Sequence, residues 1–318
     1  MKSLRIVAAA CLAFAACSTL AAWPEKPIKV YIGYAAGGST DVVARLISPL
    51  LSQKLGQPIV IENKPGGAGN LAAELMLQAP ADGYTLLMTT VAVHAINPGL
   101  YKARKFDPIE DFTPIALVAS YPMILIASPQ SSFKTLAELK ALAASTPTFY
   151  SSSGIGSPGH LAGELLVRAL DAKIIHVPYK GGSPSVLAIM SGEAQLNFAT
   201  LPAVTPQIRG GKVRAIGLAS RERNPAVPDV PTLIELGLPD FEVGTWTGLV
   251  GAKGIPAEVV QKINAAVASA VNDPTIHQRL LDEGAEIRLM SPAEFGTFMR
   301  AENRRWVKVV HDAGIKPQ

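Results

Sequence analysis

Two apolar periods alternate along the chain. Ile28–Tyr34 carries Lys29-Val-Tyr-Ile32 between Pro27 and Gly33 and reads as a buried strand. Asp41–Leu55 has apolar residues at 43, 46, 47, 50, 51 and 55, one face of a helix, with a kink expected at Pro49. Gly56-Gln57-Pro58 ends it. Ile59–Glu62 is a second strand, Asn70–Gln78 a helix, 79–83 a turn and Tyr84–Thr89 a third strand. A β-α-β-α-β series predicts a parallel sheet.

The middle third repeats the theme. Strand-like runs lie either side of Tyr121-Pro122 within Ile115–Ser128, and Thr135-Leu-Ala-Glu138 is a capping box opening a helix to about Ala144. Phe149–Ser153, Ile174–Tyr179, Gln195–Ala199 and Val213–Ala219 read as strands, with helices at His160–Leu170 and Ser185–Met190. After Pro-rich turns from Pro228 come a strand at Thr245–Val250 and helices at Ala257–Val271, Thr275–Glu283 and Ala293–Val310, the last opened by Ser291-Pro292. Two similar α/β units predict two lobes. The first lobe takes 23–121, the second 122–220, and 221–318 returns to the first.

The N-terminus departs from both periods. Lys2 and Arg5 precede an apolar stretch, Ile6–Ala16, that is too short to span a bilayer comfortably; small residues and Trp23-Pro24 follow. That pattern predicts a signal peptide over 1–22, hence export to the periplasm. Lipid attachment at Cys17 is the competing expectation, weakened by Phe14 where an aliphatic residue would suit.

This changes how the composition reads. The 318 residues are 48% hydrophobic and 17% charged, which excludes a disordered chain. The formal charge of +4 alone would suggest nucleic acid or an anionic membrane. Loss of 1–22 removes two basic residues and no acid, leaving +2, and takes both cysteines, Cys11 and Cys17. A thiol-free, nearly neutral chain gives no ground for a nucleic-acid or zinc role.

Glycine-rich loops at strand-to-helix junctions carry the candidate chemistry. Ala35-Ala-Gly-Gly-Ser-Thr-Asp41 follows the first strand, and free N–H groups at a helix start suit a carboxylate or phosphate. Ser151-Ser-Ser-Gly-Ile-Gly-Ser-Pro-Gly-His160 holds the matching place in the middle unit. Its G-x-G-x-x-G lacks the acidic residue that a dinucleotide site needs after the next strand, and Pro158 fits that loop badly. Lys180-Gly-Gly-Ser-Pro184 and Lys64-Pro-Gly-Gly-Ala-Gly-Asn70 are further such loops, each more ordinary alone. Together they belong at the C-terminal edge of the strands, where ligands bind in open α/β sheets.

An exported α/β hydrolase using Ser157 or Ser39 is the catalytic alternative. No G-x-S-x-G elbow supports it, and Ser157 near His160 lacks a positioned acid. The five histidines, 94, 160, 176, 277 and 311, show no metal-ligand spacing. No catalytic residue, metal or cofactor is expected.

Ordered blocks over the whole mature chain resemble the substrate-binding component of the tripartite tricarboxylate transporters, the Bug or TctC family. They are Gly37-Gly-Ser-Thr-Asp41, Glu62-Asn-Lys-Pro-Gly66, Asp82-Gly-Tyr-Thr-Leu86, Asn97-Pro98, Asp111-Phe112, His160-Leu-Ala-Gly-Glu164, His176-Val-Pro-Tyr-Lys-Gly181 and Pro228-Asp-Val-Pro-Thr232. The resemblance implies a type II periplasmic binding protein fold: two Rossmann-like lobes, joined by a hinge, that close on a small mono-, di- or tricarboxylate. It implies delivery to large and small permease subunits, and a monomer is expected. A ligand-reading subunit for a membrane sensor kinase is the alternative with the same fold.

Carried over, the binding residues are Gly37, Gly38, Ser39, Thr40 and Asp41, with Thr89 and Thr90, in the first lobe. In the second they are Ser152, Ser153, Gly154, Gly156, Ser157 and His160, with Thr200 after the strand Gln195–Ala199. The family often has an acidic or amide residue where this chain has Ala199-Thr200. That departure argues against an amino-bearing ligand and for a pure carboxylate with an aromatic or hydroxyl body.

Overall fold

The computed structural model describes residues 23–101, 105–312 and 314. The expected signal peptide and the Cys17 alternative lie outside the described residues.

Strand β1 (Ile28–Ile32) pairs in parallel with β2 (Ile59–Asn63) and β3 (Thr85–Thr90). Its alternate residues Ile28, Val30 and Ile32 are buried, and their β-branching suits a pleated core strand. Strand β4 (Phe112–Ala127) is one continuous element through Pro122, where the sequence suggests two runs. Its partners change at that point. Phe112–Pro122 pairs antiparallel with β9 (Gly244–Ala252), which in turn pairs antiparallel with β3.

Met123–Ala127 lies instead between β7 (Leu196–Thr200) and β8 (Arg214–Leu218), antiparallel to both. Strand β5 (Thr148–Ser152) completes the second sheet, parallel to β6 (Ile174–Pro178) and β7. The two half-sheets therefore run β2-β1-β3-β9-β4 and β6-β5-β7-β4-β8. Each is a parallel triplet followed by an antiparallel strand and an edge, so the lobes repeat one plan and share β4.

Helices start at corresponding places in each lobe. Helix α1 (Ser39–Leu55) follows β1, and α2 (Asn70–Leu77) follows β2. The turn Ala92–Ile96 and short α3 (Asn97–Leu100) follow β3, and α4 (Leu136–Ser145) has its Thr135–Glu138 capping box in place. In the second lobe α5 (Pro158–Leu170) follows β5, α6 (Gly182–Ser191) follows β6, and α7 (Leu201–Arg209) follows β7. Helix α1 runs through Pro49 and buries Val43, Ala44, Ile47, Leu51 and Leu55.

Helix α7 is absent from the sequence-based expectation. Pro202 sits at its first turn, where no intrahelical N–H is needed, and Pro206 inside it masks the helical period. Helices α8 (Ala257–Val271), α9 (Pro274–Asp282) and α10 (Pro292–Asp312) return to the first lobe. There Val260, Ile263 and Val267 join the core of β1 and α1. Trp306 and Val310 pack with Leu100, Phe112 and Trp246.

Candidate functional site

Between the lobes, at the C-terminal ends of the parallel strands, lies a cleft with an empty volume of about 500 Å³. Tyr34, Ser39, Thr40 and Thr90 line it from the first lobe. Ser153, Gly159, Gly182, Asn197 and Thr200 line it from the second, with Met123 and Thr245 on the shared strands between. No described residue lining it carries a charged side chain. Backbone donors face it instead: the first turns of α1, α5 and α6 open onto it, and so does Thr200, the N-cap of α7.

The structure sorts the residues singled out from sequence into two groups. Ser39, Thr40, Thr90, Ser153 and Thr200 reach the cleft. Among the described residues the hydroxyls of Ser39, Thr40, Ser153 and Thr200 have no protein hydrogen-bond partner, and Thr200 caps α7 without a side-chain bond. Thr90 Oγ1 accepts from Ala92 N at 3.3 Å and lies 3.5 Å from Tyr34 Oη. Burial is the main reason that the Tyr34 hydroxyl is pushed up to about 12, so it stays protonated and donates to Ala68 O at 3.1 Å.

The second group lies beside the cleft and shapes it. Asp41 turns away: Oδ2 accepts from Gly37 N and Arg45 Nε, each at 2.9 Å, and Oδ1 accepts from Asn63 Nδ2 at 3.0 Å. Gly38 is the N-cap of α1. Thr89 is buried within β3 opposite Gly248. Ser157 is fully buried and caps α5, its Oγ accepting from His160 N at 3.2 Å. Gly156 N donates to His160 Nδ1 at 3.2 Å, and Gly154 N donates to Ser152 Oγ at 3.1 Å.

His160 stacks on His176 at 4.3 Å and His176 on Tyr150 at 4.7 Å, behind the Ser153–Ser157 loop. Ser152 Oγ lies 2.7 Å from His176 Nε2, and Tyr150 Oη donates to Glu164 at 2.6 Å. Burial holds both imidazoles below their usual pKa, His176 at about 3. Among the described residues no group of three or more His, Cys, Asp or Glu could hold a metal ion. The hydroxyl of Ser157 meets a backbone N–H rather than the His160 ring, so the pair lacks the nucleophile-to-base hydrogen bond of a hydrolase.

Sequence reasoning passed over Tyr34, Met123, Asn197, Gly182 and Ser185, all of which line the cleft. Gly182 belongs to the loop judged ordinary alone. Asn197 had a visible signal, an amide between Leu196 and Phe198 inside an apolar strand.

The glycine loops also join the lobes. Ala35 N donates to Lys180 O at 3.1 Å, and Ser183 Oγ donates to Ala36 O at 2.9 Å. Tyr101 Oη donates to Ile155 O at 3.1 Å. A Cβ on Gly181 would stand 2.8 Å from Ala35 N, so this approach needs glycine there.

Two lobes sharing one strand, with helix starts and free hydroxyls converging on a cleft between them, define a solute-binding receptor of the periplasmic type. The chain belongs to the tripartite tricarboxylate transporter family of receptors, TctC, whose family model matches residues 43–315. It is similar to the solved periplasmic binding protein BugD, with 32% identity and a TM-score of 0.89 over 93% of this chain and 100% of that one. MatC from Rhodopseudomonas palustris with bound malate is 37% identical, with a TM-score of 0.86 over 91% of this chain and all of the other. An R. palustris protein solved with adipate is 34% identical, with a TM-score of 0.89 over 93% of this chain and all of that one. Among the described residues no helix is long and apolar enough to cross a membrane.

Proposed function

We propose that this protein captures a small carboxylate in the periplasm, without turning it over, and hands it to the membrane subunits of a tripartite tricarboxylate-type transporter. The observation that carries this reading is the cleft itself, where four free hydroxyls and several helix N-termini gather with no charged side chain among the described lining residues. Neutral donors of this kind suit a carboxylate, since hydrogen bonds to a charged group contribute about 1.5–3 kcal/mol each. The dicarboxylates held by the two R. palustris neighbours support the ligand class.

The lobes run 23–121 with 221–318, and 122–220, and they turn about the crossing at Pro122–Met123, where β4 changes partners. Ligand stabilises the closed arrangement by bonding to both lobes at once. The chain acts as a monomer and reaches the periplasm by the N-terminal signal at 1–22.

A thermal-shift panel tests this reading. A bound carboxylate at about 100-fold its Kd adds roughly 2.7 kcal/mol of stability. Shifts with sugars or divalent metals and with no carboxylate would overturn it.

A further inference from the structure

Asn197 is the one amide among the described cleft residues, and it is 1% exposed. Its orientation is fixed from below. Strand pairing sets Asn197 opposite Ser151, and Nδ2 donates to Ser151 O and to Ser151 Oγ, each at 2.9 Å. Ser151 Oγ in turn donates to Ser185 O at 2.9 Å, so towards Asn197 it can only accept. An amide flip would set an oxygen against two acceptors. Nδ2 therefore belongs on the Ser151 side, and Oδ1 is left buried with no partner in the protein.

A buried carbonyl oxygen without a donor is unfavourable, and native proteins leave few of them. Carboxylate oxygens cannot supply the missing proton, because they too only accept. A water satisfies such a group in the empty cleft, and a ligand that displaces this water keeps the bond only if its own body carries a donor. An ammonium would also call for a counter-charge, and no acidic side chain is among the described lining residues. A neutral hydroxyl meets both conditions.

We propose that Asn197 Oδ1 accepts a hydrogen bond from a hydroxyl on the ligand, so that the cleft selects hydroxycarboxylates over the same acids lacking the hydroxyl. This rests on the carboxylate reading of the cleft and narrows it. A site built to hydrogen-bond a polar group discriminates against the analogue that leaves its own group unpaired. Asn197 is thus a specificity residue, distinct from the hydroxyls that hold the carboxylate.

The experiment is calorimetric titration of the full mature chain with matched pairs: malate and succinate, 2-hydroxyglutarate and glutarate, mandelate and phenylacetate. In the wild type the hydroxy acid of at least one pair binds about tenfold or more tighter than its partner. In Asn197→Ala that ratio falls to near one; the ratio compares two ligands on the same protein, so it reads the lost hydroxyl contact whatever the variant does to absolute affinity. Equal binding of both members of every pair in the wild type overturns the proposal and leaves the carboxylate reading standing; this arm decides even if Asn197→Ala does not fold. A ratio that survives in a folded Asn197→Ala also overturns it. Binding of none of the six acids, with none found in a wider carboxylate panel, removes the functional reading and this proposal together.

Discussion

A Cβ on Gly156 would stand 2.1 Å from Asn97 Oδ1. Gly156 belongs to the β5–α5 loop of the second lobe and Asn97 to α3 of the first. Asn97 cannot easily give way, because its Nδ2 donates to Gly67 O at 3.2 Å and to Asn70 Oδ1 at 2.8 Å. The glycine is needed where two lobes meet, a different demand from that of a backbone cradle for an anion.

Gly156→Ala should therefore hinder closure. Its φ of +85° adds local strain, so a control with the same strain is required. Gly56 has φ +75° and no atom within 4 Å of the added carbon. Gly56→Ala should lower stability by about 1 kcal/mol with unchanged affinity. Gly156→Ala should weaken carboxylate binding tenfold or more, about 1.4 kcal/mol, and leave a larger radius of gyration at saturating ligand. Equal affinities in the two variants would count against closure through this contact.

Serine deletions should divide as the structure divides the serines. Ser39 and Ser153 line the cleft, and among the described residues their hydroxyls have no protein partner, so each change to Ala should weaken ligand binding by about 1–3 kcal/mol. The melting temperature of the ligand-free protein should hardly move. Ser157→Ala should do the reverse first. It removes the cap of α5 and costs about 1 kcal/mol of stability, readable by urea denaturation, with any loss of affinity secondary. A large affinity loss in Ser157→Ala at unchanged stability would place its hydroxyl on the ligand after all.

How much of this was legible in the sequence follows from the kind of signal each feature leaves. Strand β1 and helices α1 and α8 announce themselves by period, because one face of each is buried. Helix α7 does not, since Pro202 and Pro206 lie inside it. Residues of the glycine loops line the cleft, but glycine spacing cannot say which way a side chain turns. Asp41 and Ser39 are two residues apart in one motif, yet one supports the loop and the other faces the cleft. That outcome depends on Arg45, one helical turn on, and also on Asn63, which lies 22 residues beyond Asp41 on the next strand and which no local motif links to it. Asn197 reaches the cleft through its pairing with Ser151, 46 residues away, a partnership visible only once the strands are aligned.

Asp41→Ala should be costly without touching the ligand. Burial pushes its carboxyl pKa up, but the Arg45 side chain, Gly37 N–H and Asn63 amide outweigh burial and hold it below the usual aspartate value. Removal leaves the Gly37 N–H and one Asn63 donor facing no acceptor, which predicts a loss of about 3 kcal/mol in chemical denaturation. It also frees the loop that presents Ser39 and Thr40, so affinity should fall as well. Retained stability in Asp41→Ala would contradict the role as a strut.

Acid should destabilise this protein through His94 and His176 before Asp41 titrates. Burial lowers His94 to about 4, despite the bond from its Nδ1 to Pro108 O at 2.5 Å. Burial, and then the charge of His160, lower His176 to about 3, and burial lowers His160 as well. In the unfolded chain each would titrate near 6.5. Above about pH 6.5 both states hold neutral imidazole and no stability is lost. Below it the unfolded chain takes up protons that the folded protein refuses, so stability falls as pH drops from about 6.5 towards 4 for His94 and towards 3 for His176. His94 and His176 together predict a loss of roughly 3 kcal/mol between about pH 7 and pH 5, measured by urea denaturation of the ligand-free protein. His176→Gln should shrink that difference by roughly half, whatever it does to absolute stability. Asp41 cannot imitate the effect, because its carboxyl, held low in the folded state, moves its contribution to more acid pH. A flat stability profile between about pH 7 and pH 5 would mean that these rings are hydrated or protonated in the folded state, and the stacked packing behind the second-lobe loop would then be wrong.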